Sequence, residues 1–241
     1  MNSGVEPLAV AVSDVLFCHW PIDEDAAEAV VPPWLSPDAL AGSAWASVVA
    51  LRMDRFDAFG LPVREGLEAV NLRTYVRGPS GDRGVYFRSL DATDRLAVGT
   101  ARRLFRLPYH RARIDRSESG GKTTVLARRC DGSGAGVTAT FSPEGEPDPP
   151  EPDTLHSFLT ERYRYFTEGP LGTRLVGSVG HEPWPLQPVD ATVEVDGLLS
   201  AEGIETDGDP LYHYSPGVRI RIGPPGPVRS APAGRRRDGE V

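Results

Sequence analysis

The sequence predicts an α+β fold dominated by β-strands. Runs of β-branched and aromatic residues, each about a strand long, recur along the chain as far as Ile222. Gly-, Pro- and Ser-rich turns separate them, and apolar residues at helical spacing are confined to a few short stretches. A chain of 241 residues, 39% hydrophobic and 25% charged, is globular and long enough for one large β-rich domain or two small ones. One domain over 1–222 is expected, because the strands that follow the proline-dense acidic connector Ser142 to Asp153 are too few for a second core. Residues 223–241, rich in Pro, Gly, Arg and Ala, are expected to be a disordered tail.

Each element follows from local chemistry. Val10 to Phe17 reads as a strand that ends at Cys18-His19-Trp20-Pro21. Asp23 can cap a helix over Glu24 to Val31, with acidic residues in its first turn and Pro32-Pro33 to stop it. Ala44 to Leu51 is apolar and β-branched, a buried strand, and Asp54 to Gly66 reads as a connection whose Phe56, Phe59 and Leu61 plug one end of the core. Ala69 to Val76 and Gly84 to Asp91, joined by Gly78-Pro79-Ser80-Gly81-Asp82-Arg83-Gly84, form an antiparallel hairpin. A helix over Ala92 to Phe105 follows. His110 to Ile114, Thr123 to Arg129 and Gly136 to Phe141 then form a meander with Gly/Ser-rich turns. Thr154 to Arg162 is a short helix capped by Thr154, and Tyr163 to Phe166, Arg174 to His181, Ala191 to Val195 and Leu211 to Ile222 supply further strands.

Composition narrows the function. A formal charge of -8 argues against nucleic-acid binding, and the one dense basic run, Arg235-Arg236-Arg237, is a solvated end. No stretch approaches the roughly 20 apolar residues that span a bilayer, and Met1 to Val15 lacks the pattern of a secretory signal. Cys18 and Cys130 are in no metal-like spacing and read as reduced thiols, so a cytoplasmic protein is expected. His19, His110, His181 and His213 show no HxH or HxxxH pair, so no metal is expected; no P-loop, GxSxG elbow or dinucleotide fingerprint is present, and no cofactor is expected. Nothing in the pattern sets an oligomeric state.

Several stretches together are similar to the YqjF-like proteins, an uncharacterised family (domain of unknown function 2071) of the acetoacetate decarboxylase-like superfamily. They are Phe17-Cys18-His19-Trp20-Pro21, Asn71-Leu72-Arg73-Thr74-Tyr75-Val76, Gly84 to Asp91, Ala101-Arg102 with Leu107-Pro108-Tyr109, Phe158 to Tyr163, His181-Glu182-Pro183-Trp184-Pro185-Leu186 and Tyr214-Ser215-Pro216-Gly217-Val218. The resemblance implies an antiparallel barrel with a few peripheral helices around a polar cavity. It does not imply the decarboxylase reaction, which needs a lysine Schiff base. The segment similar to the decarboxylase's Pro-Lys-Lys is Pro108-Tyr109-His110, and Lys122, the only lysine among 26 basic residues, falls in an expected exposed turn. Relatives often carry a carboxylate two residues before the motif asparagine; here that position is Ala69, and Glu68 points to the other strand face.

Alternation gives the candidate site. Val70, Leu72 and Val76 share one face of their strand, and Asn71, Arg73 and Tyr75 share the other. If the polar face lines a barrel interior, Arg73 offers a planar fork to a carboxylate or phosphate while Asn71 and Tyr75 orient it. If the greasy face points inward, the polar face is solvated. Tyr86 and Arg88 on the partner strand, and Arg102 within the resembling segment, complete the ligand-binding set, and Tyr109 and His181 are the candidate acid/base groups. The expected function is binding of a small anionic or keto-acid-like molecule, with a lyase or isomerase that uses no lysine as the catalytic form of it. The alternative is a non-catalytic interaction module that presents the polar face to a protein partner.

Overall fold

The computed structural model describes residues 8–40, 42–94, 99, 103, 105–206 and 208–229. In chain order the strands are β1 (Leu8–Ile22), β2 (Ser36–Pro37), β3 (Ala44–Ala58), β4 (Leu61–Arg77), β5 (Arg83–Ala92), β6 (Tyr109–Ser119), β7 (Lys122–Arg129), β8 (Gly136–Pro143), β9 (Arg164–Glu168), β10 (Arg174–Gly180), β11 (Val189–Glu194), β12 (Leu211–Ile222) and β13 (Gly226–Pro227). Short helices α1 (Glu24–Ala29), α2 (Leu155–Thr160) and α3 (Leu198–Ala201) lie between them. The Asp23 carboxylate accepts from the N–H groups of Asp25 and Ala26, at 2.9 and 3.3 Å, and Thr154 caps α2 through the N–H of Ser157. Both caps satisfy donors that a helix start leaves free.

Hydrogen bonding runs β5-β9-β10-β12-β1-β3-β4 and returns from β4 to β5, so these strands close a ring. The return pairing is antiparallel, with Tyr75 opposite Val85 and Asn71 opposite Leu90, and a bulge inserts Arg88 between the partners of Arg73 and Leu72. The opposite edge of β5 serves two neighbours in parallel: β9 along Val85 and Tyr86, and β6 along Leu90 to Ala92. From β6 the antiparallel meander β6-β7-β8-β11 leaves the ring. It folds back over the ring's outer surface, and Val70 and Leu72 of β4 pack there with Ile114, Val125, Val137 and Phe141. The greasy face of β4 is therefore buried outside the ring, between two layers of sheet, and the polar face turns to the interior.

Three expectations change. Residues 54–66 form no loose plug: β3 and β4 continue as one long hairpin to a two-residue turn at Phe59 and Gly60, and Phe59 and Leu61 are 70% and 69% exposed. Phe59 and Leu61 lie at the exposed hairpin tip, whereas Phe56 packs against the core. Second, Gly223 onward does not leave the sheet at once. Gly226 and Pro227 pair with Val176 and Leu175 of β10, and the N–H groups of Gly223 and Val228 donate to Ser178 and Arg174. A Pro- and Gly-rich segment suits such an edge, where few ladder donors are required. Residues 230–241 lie outside the described residues. Third, Glu24 to Val31 is helical only to Ala29, and Val30 caps its end. Most of the helix expected over Ala92 to Phe105 also lies outside the described residues; Gly99, Arg103 and Phe105 are helical.

Two glycines of the hairpin turn meet the closing strand. A Cβ on Gly84 would stand 2.8 Å from the Arg164 carbonyl oxygen and 2.8 Å from the Phe166 ring, and one on Gly78 would stand 2.7 Å from the same ring. Gly84→Ala is expected to weaken the β5–β9 seam by roughly 1–3 kcal/mol, seen as a lower denaturant midpoint. At the β3–β4 turn Phe59 has φ 51 and Gly60 φ 77, the pair of positive angles for which Asn-Gly is the favoured sequence. Phe59→Asn is therefore expected to raise stability by roughly 1 kcal/mol in the same assay.

Candidate ligand cavity

Inside the ring lies a cavity of about 140 Å3. Its polar lining comes from Asn71 and Arg73 on β4, Tyr109 at the start of β6, Thr160 and Arg162 at the end of α2, Tyr165 on β9 and His181 just after β10. Apolar side chains make the rest of the wall, among them Val10, Phe17, Leu51, Met53, Val179 and Ile220. Alternation carries this division: the odd-numbered positions of β4 from Ala69 to Arg73 all face inward. Ala69 itself lines the wall, and Glu68 faces away, where its carboxylate accepts from the Arg116 guanidinium at 3.0 and 3.1 Å.

Arg73 is one of two arginines among the described residues that line the cavity. Its Nη2 donates to the Leu159 carbonyl at 3.2 Å, and its guanidinium stands 5.8 Å from the Phe17 ring and 5.8 Å from the Tyr75 ring. Its Nε is buried without a hydrogen-bond partner, and no carboxylate among the described residues forms a salt bridge with it. Arg162, 6% exposed, is different. Its Nη1 donates to Asp38 at 2.8 Å and its Nε to the Phe158 carbonyl at 2.8 Å, while its Nη2 has no partner. The fully buried Asp38 carboxylate also meets Arg77 at 2.8 Å and Arg83 at 2.7 Å. Burial pulls the Arg162 guanidinium below the usual arginine value, and Asp38 opposes that shift. Arginine stays cationic through such a shift.

The remaining predicted residues divide between the cavity and other surroundings. Tyr75 faces the same way as Arg73 but sits behind the cavity wall. Its hydroxyl donates to the Leu159 carbonyl at 2.7 Å and lies 2.6 Å from the Ser47 hydroxyl, so the protein itself uses its hydrogen bonds. Tyr86 and Arg88, expected to join the Arg73 layer, point to the other side of β5. Tyr86 packs with Val31 and Leu35, and Arg88 donates to the carbonyls of Val30 and Glu202. The bulge at Arg88 decides its direction, since one extra residue shifts the alternation. Arg102 lies outside the described residues. His110 turns away from the cavity, toward Asp131.

Tyr109 and His181 line the same cavity as Arg73. Burial pushes the Tyr109 phenol up to about 12. His181 Nδ1 lies 2.8 Å from the Glu182 carbonyl oxygen, which can only accept, so the proton of a neutral ring sits on Nδ1 and Nε2 keeps its lone pair. The ring is held between Tyr163 and Trp184.

A buried polar chain behind the cavity has no sequence motif. His19 Nδ1 lies 2.5 Å from the Ser47 hydroxyl and 3.2 Å from that of Tyr75. His213 Nε2 lies 2.5 Å from Nδ1 of the exposed His156, and the rings of His19 and His213 stand edge-on at 5.3 Å. Burial, then the neighbouring His213, Arg73 and His156, hold His19 well below its ordinary pKa. Burial and His156 lower His213 to about 4. Among the described residues no group of three His, Cys, Asp or Glu side chains forms a metal site. Arg162 and Asp38 escaped the sequence reading because their partners are 124 residues apart. The signal that was available was a Thr-x-Arg ending a short helix directly before a strand.

The family described as an uncharacterized conserved protein, domain of unknown function 2071, matches residues 10–219. The uncharacterized protein YqjF of Bacillus subtilis (strain 168) is 38% identical over 207 residues, 84% of this chain and 85% of its own length. Acetoacetate decarboxylase from Legionella pneumophila superposes with a TM-score of 0.65 at 12% identity, over 97% of this chain and 92% of that one. The enduracididine biosynthesis enzyme MppR, complexed with pyruvate, superposes with a TM-score of 0.63 at 13% identity, over 95% and 93%. At such identities these two likenesses establish the acetoacetate decarboxylase-like fold alone. No helix among the described residues is long and apolar enough to cross a membrane.

The buried imidazoles give a pH dependence. The unfolded chain takes up a proton at each imidazole near pH 6.5, whereas folded His213 resists protonation until about pH 4 and His19 resists as well. Between those values protons favour the unfolded state, so stability is full above pH 6.5 and falls as the pH drops toward 4. The His213 contribution is on the order of 3 kcal/mol. Urea midpoints measured from pH 7 to pH 5 are expected to fall for the native chain and to fall less steeply for His213→Gln.

Proposed function

We propose that this chain, which belongs to the family of domain of unknown function 2071, binds a small anionic, keto-acid-like molecule inside its ring of strands. The observation that carries the reading is Arg73: a guanidinium lining an internal cavity, with a buried donor unused and no carboxylate partner among the described residues. A half-buried cation with an unpaired buried donor and no counter-charge is costly, and a bound carboxylate would supply both the charge and the acceptor. Asn71, on the same strand face, would fix the ligand's orientation. The polar face of β4 is turned inward, which favours a bound molecule over a partner protein docked on that face.

If the bound molecule reacts, the residues support proton transfer. Tyr109, held protonated by burial, can donate a hydrogen bond or a proton, and His181, whose Nδ1 faces the Glu182 carbonyl, has Nε2 left to accept one in its neutral form. Arg73 would stabilise the negative charge of an enolate. The chain's one lysine, Lys122, stands at the exposed β6–β7 turn beside Asp190, so a Schiff base has no residue in the cavity to carry it. A lyase or isomerase of this kind needs none. MppR, whose fold this chain shares, is seen with pyruvate bound, which makes 2-oxo acids the first molecules to test.

The test is a thermal-shift panel of small 2-oxo and 3-oxo acids on the native chain and on Arg73→Ala. At least one acid, at about 100 times its Kd, is expected to raise the native Tm by roughly 5–10 °C and to leave the variant unmoved. A panel in which no acid stabilises the native chain more than Arg73→Ala rules the reading out.

A further inference from the structure

We infer that the cavity selects an amphipathic monoanion, a carboxylate carrying a compact branched or aromatic hydrocarbon tail, rather than a small polar acid. This rests on the anion-binding reading of Arg73 and adds three physical constraints to it.

The first is charge. Two guanidiniums line the cavity, but Arg162 already shares the buried Asp38 carboxylate with Arg77 and Arg83. Arg73 is left as the cavity cation with no carboxylate partner among the described residues, so one bound carboxylate would give it the counter-charge that Asp38 gives Arg162. The unused Nε of Arg73 and Nη2 of Arg162 are two buried donors. Both guanidinium carbons stand near the Tyr75 ring, at 5.8 and 5.0 Å from its centroid, and the carboxylate is placed on Arg73, the one of the two without a carboxylate partner among the described residues.

The second is the wall. Along β4 the lining passes from Arg73 through Asn71 to Ala69, about 13 Å of strand. Across the sheet, Ala69 faces Leu51 and its neighbour Met53 faces Val12. Val10, on the next inward turn of the same strand, is paired with Ile220. That end of the cavity offers no charged side chain, and a hydroxyl or second carboxylate placed there would lose its water without replacement. A hydrocarbon tail would instead gain from burial.

The third is size. An apolar cavity of about 150 Å3 holds a molecule the size of benzene. The 140 Å3 present here must hold carboxylate and tail together, which suits a short branched or single-ring acid better than a long chain.

The experiment is calorimetric titration of the native full chain with acetate, 3-methylbutanoate, 4-methylpentanoate, benzoate and decanoate, together with pyruvate, 4-methyl-2-oxopentanoate, succinate and the neutral amide of 4-methylpentanoate. Affinity is expected to rise about fourfold per added methylene from acetate to 4-methylpentanoate. It should stay high for benzoate and collapse for decanoate, and 4-methyl-2-oxopentanoate should exceed pyruvate at least tenfold. Succinate should bind no better than acetate. Leu51→Phe, which fills the apolar end, should lose the longer acids and keep acetate. If pyruvate and acetate bind as tightly as their branched counterparts, the tail inference is wrong and the anion reading stands. An amide that equals its acid overturns the role of Arg73, and the monoanion with it. Absence of binding by every compound in the native chain overturns both.

Discussion

The structure depends on a very short seam. β9 lies parallel to β5 along Val85–Tyr165 and Tyr86–Phe166 alone, as short a link in the ring as the two pairs that join β10 to β12. Parallel pairing is slightly weaker per residue than antiparallel pairing, and here it spans two residue pairs. What holds it is close approach. Gly78 and Gly84 leave room for the Phe166 ring, which is buried with Val31, Leu35 and Val76, and Tyr165 reaches across to donate to the Gly223 carbonyl. Glycines that first read as turn residues thus also admit the strand that closes the cavity.

Once the ring is closed, β4 has two insides. Its even-numbered side chains Val70 and Leu72 are buried against the meander, and Ala69, Asn71 and Arg73 look into the lumen. A strand in an open sheet would have offered its polar face to water. Between two packed layers it cannot, and the cost of enclosing Asn71 and Arg73 is what gives the interior its chemical character. The same constraint explains Asp38. It serves Arg77, Arg83 and Arg162 at once, holding one end of the cavity wall together by charge beside the buried rings of Phe158 and Tyr75.

The imidazoles behind the wall belong to this electrostatic arrangement. His19 is kept neutral by burial and by the cations and rings around it, Arg73 among them, and it passes hydrogen bonding on through Ser47 to Tyr75, whose ring lies against both cavity guanidiniums. The orientation of Arg73 is therefore tied to groups that never touch the cavity.

The chain's own residue pattern determined most of the strands, the capped α1 and α2, the β4–β5 hairpin and the shared face of Asn71, Arg73 and Tyr75, because caps, turns and alternation act over a few residues. It also placed the chain's one lysine, Lys122, in an exposed turn. It could not tell the hairpin tip at Phe59 from a core plug, because an aromatic residue reads the same exposed or buried. Tertiary structure alone decided which face of β4 became the interior, that a bulge turned Arg88 outward, and that Asp38 and Arg162 would meet across 124 residues. Those outcomes depend on cross-strand register and on which layer covers which face, and both are set by contacts between segments far apart in the chain.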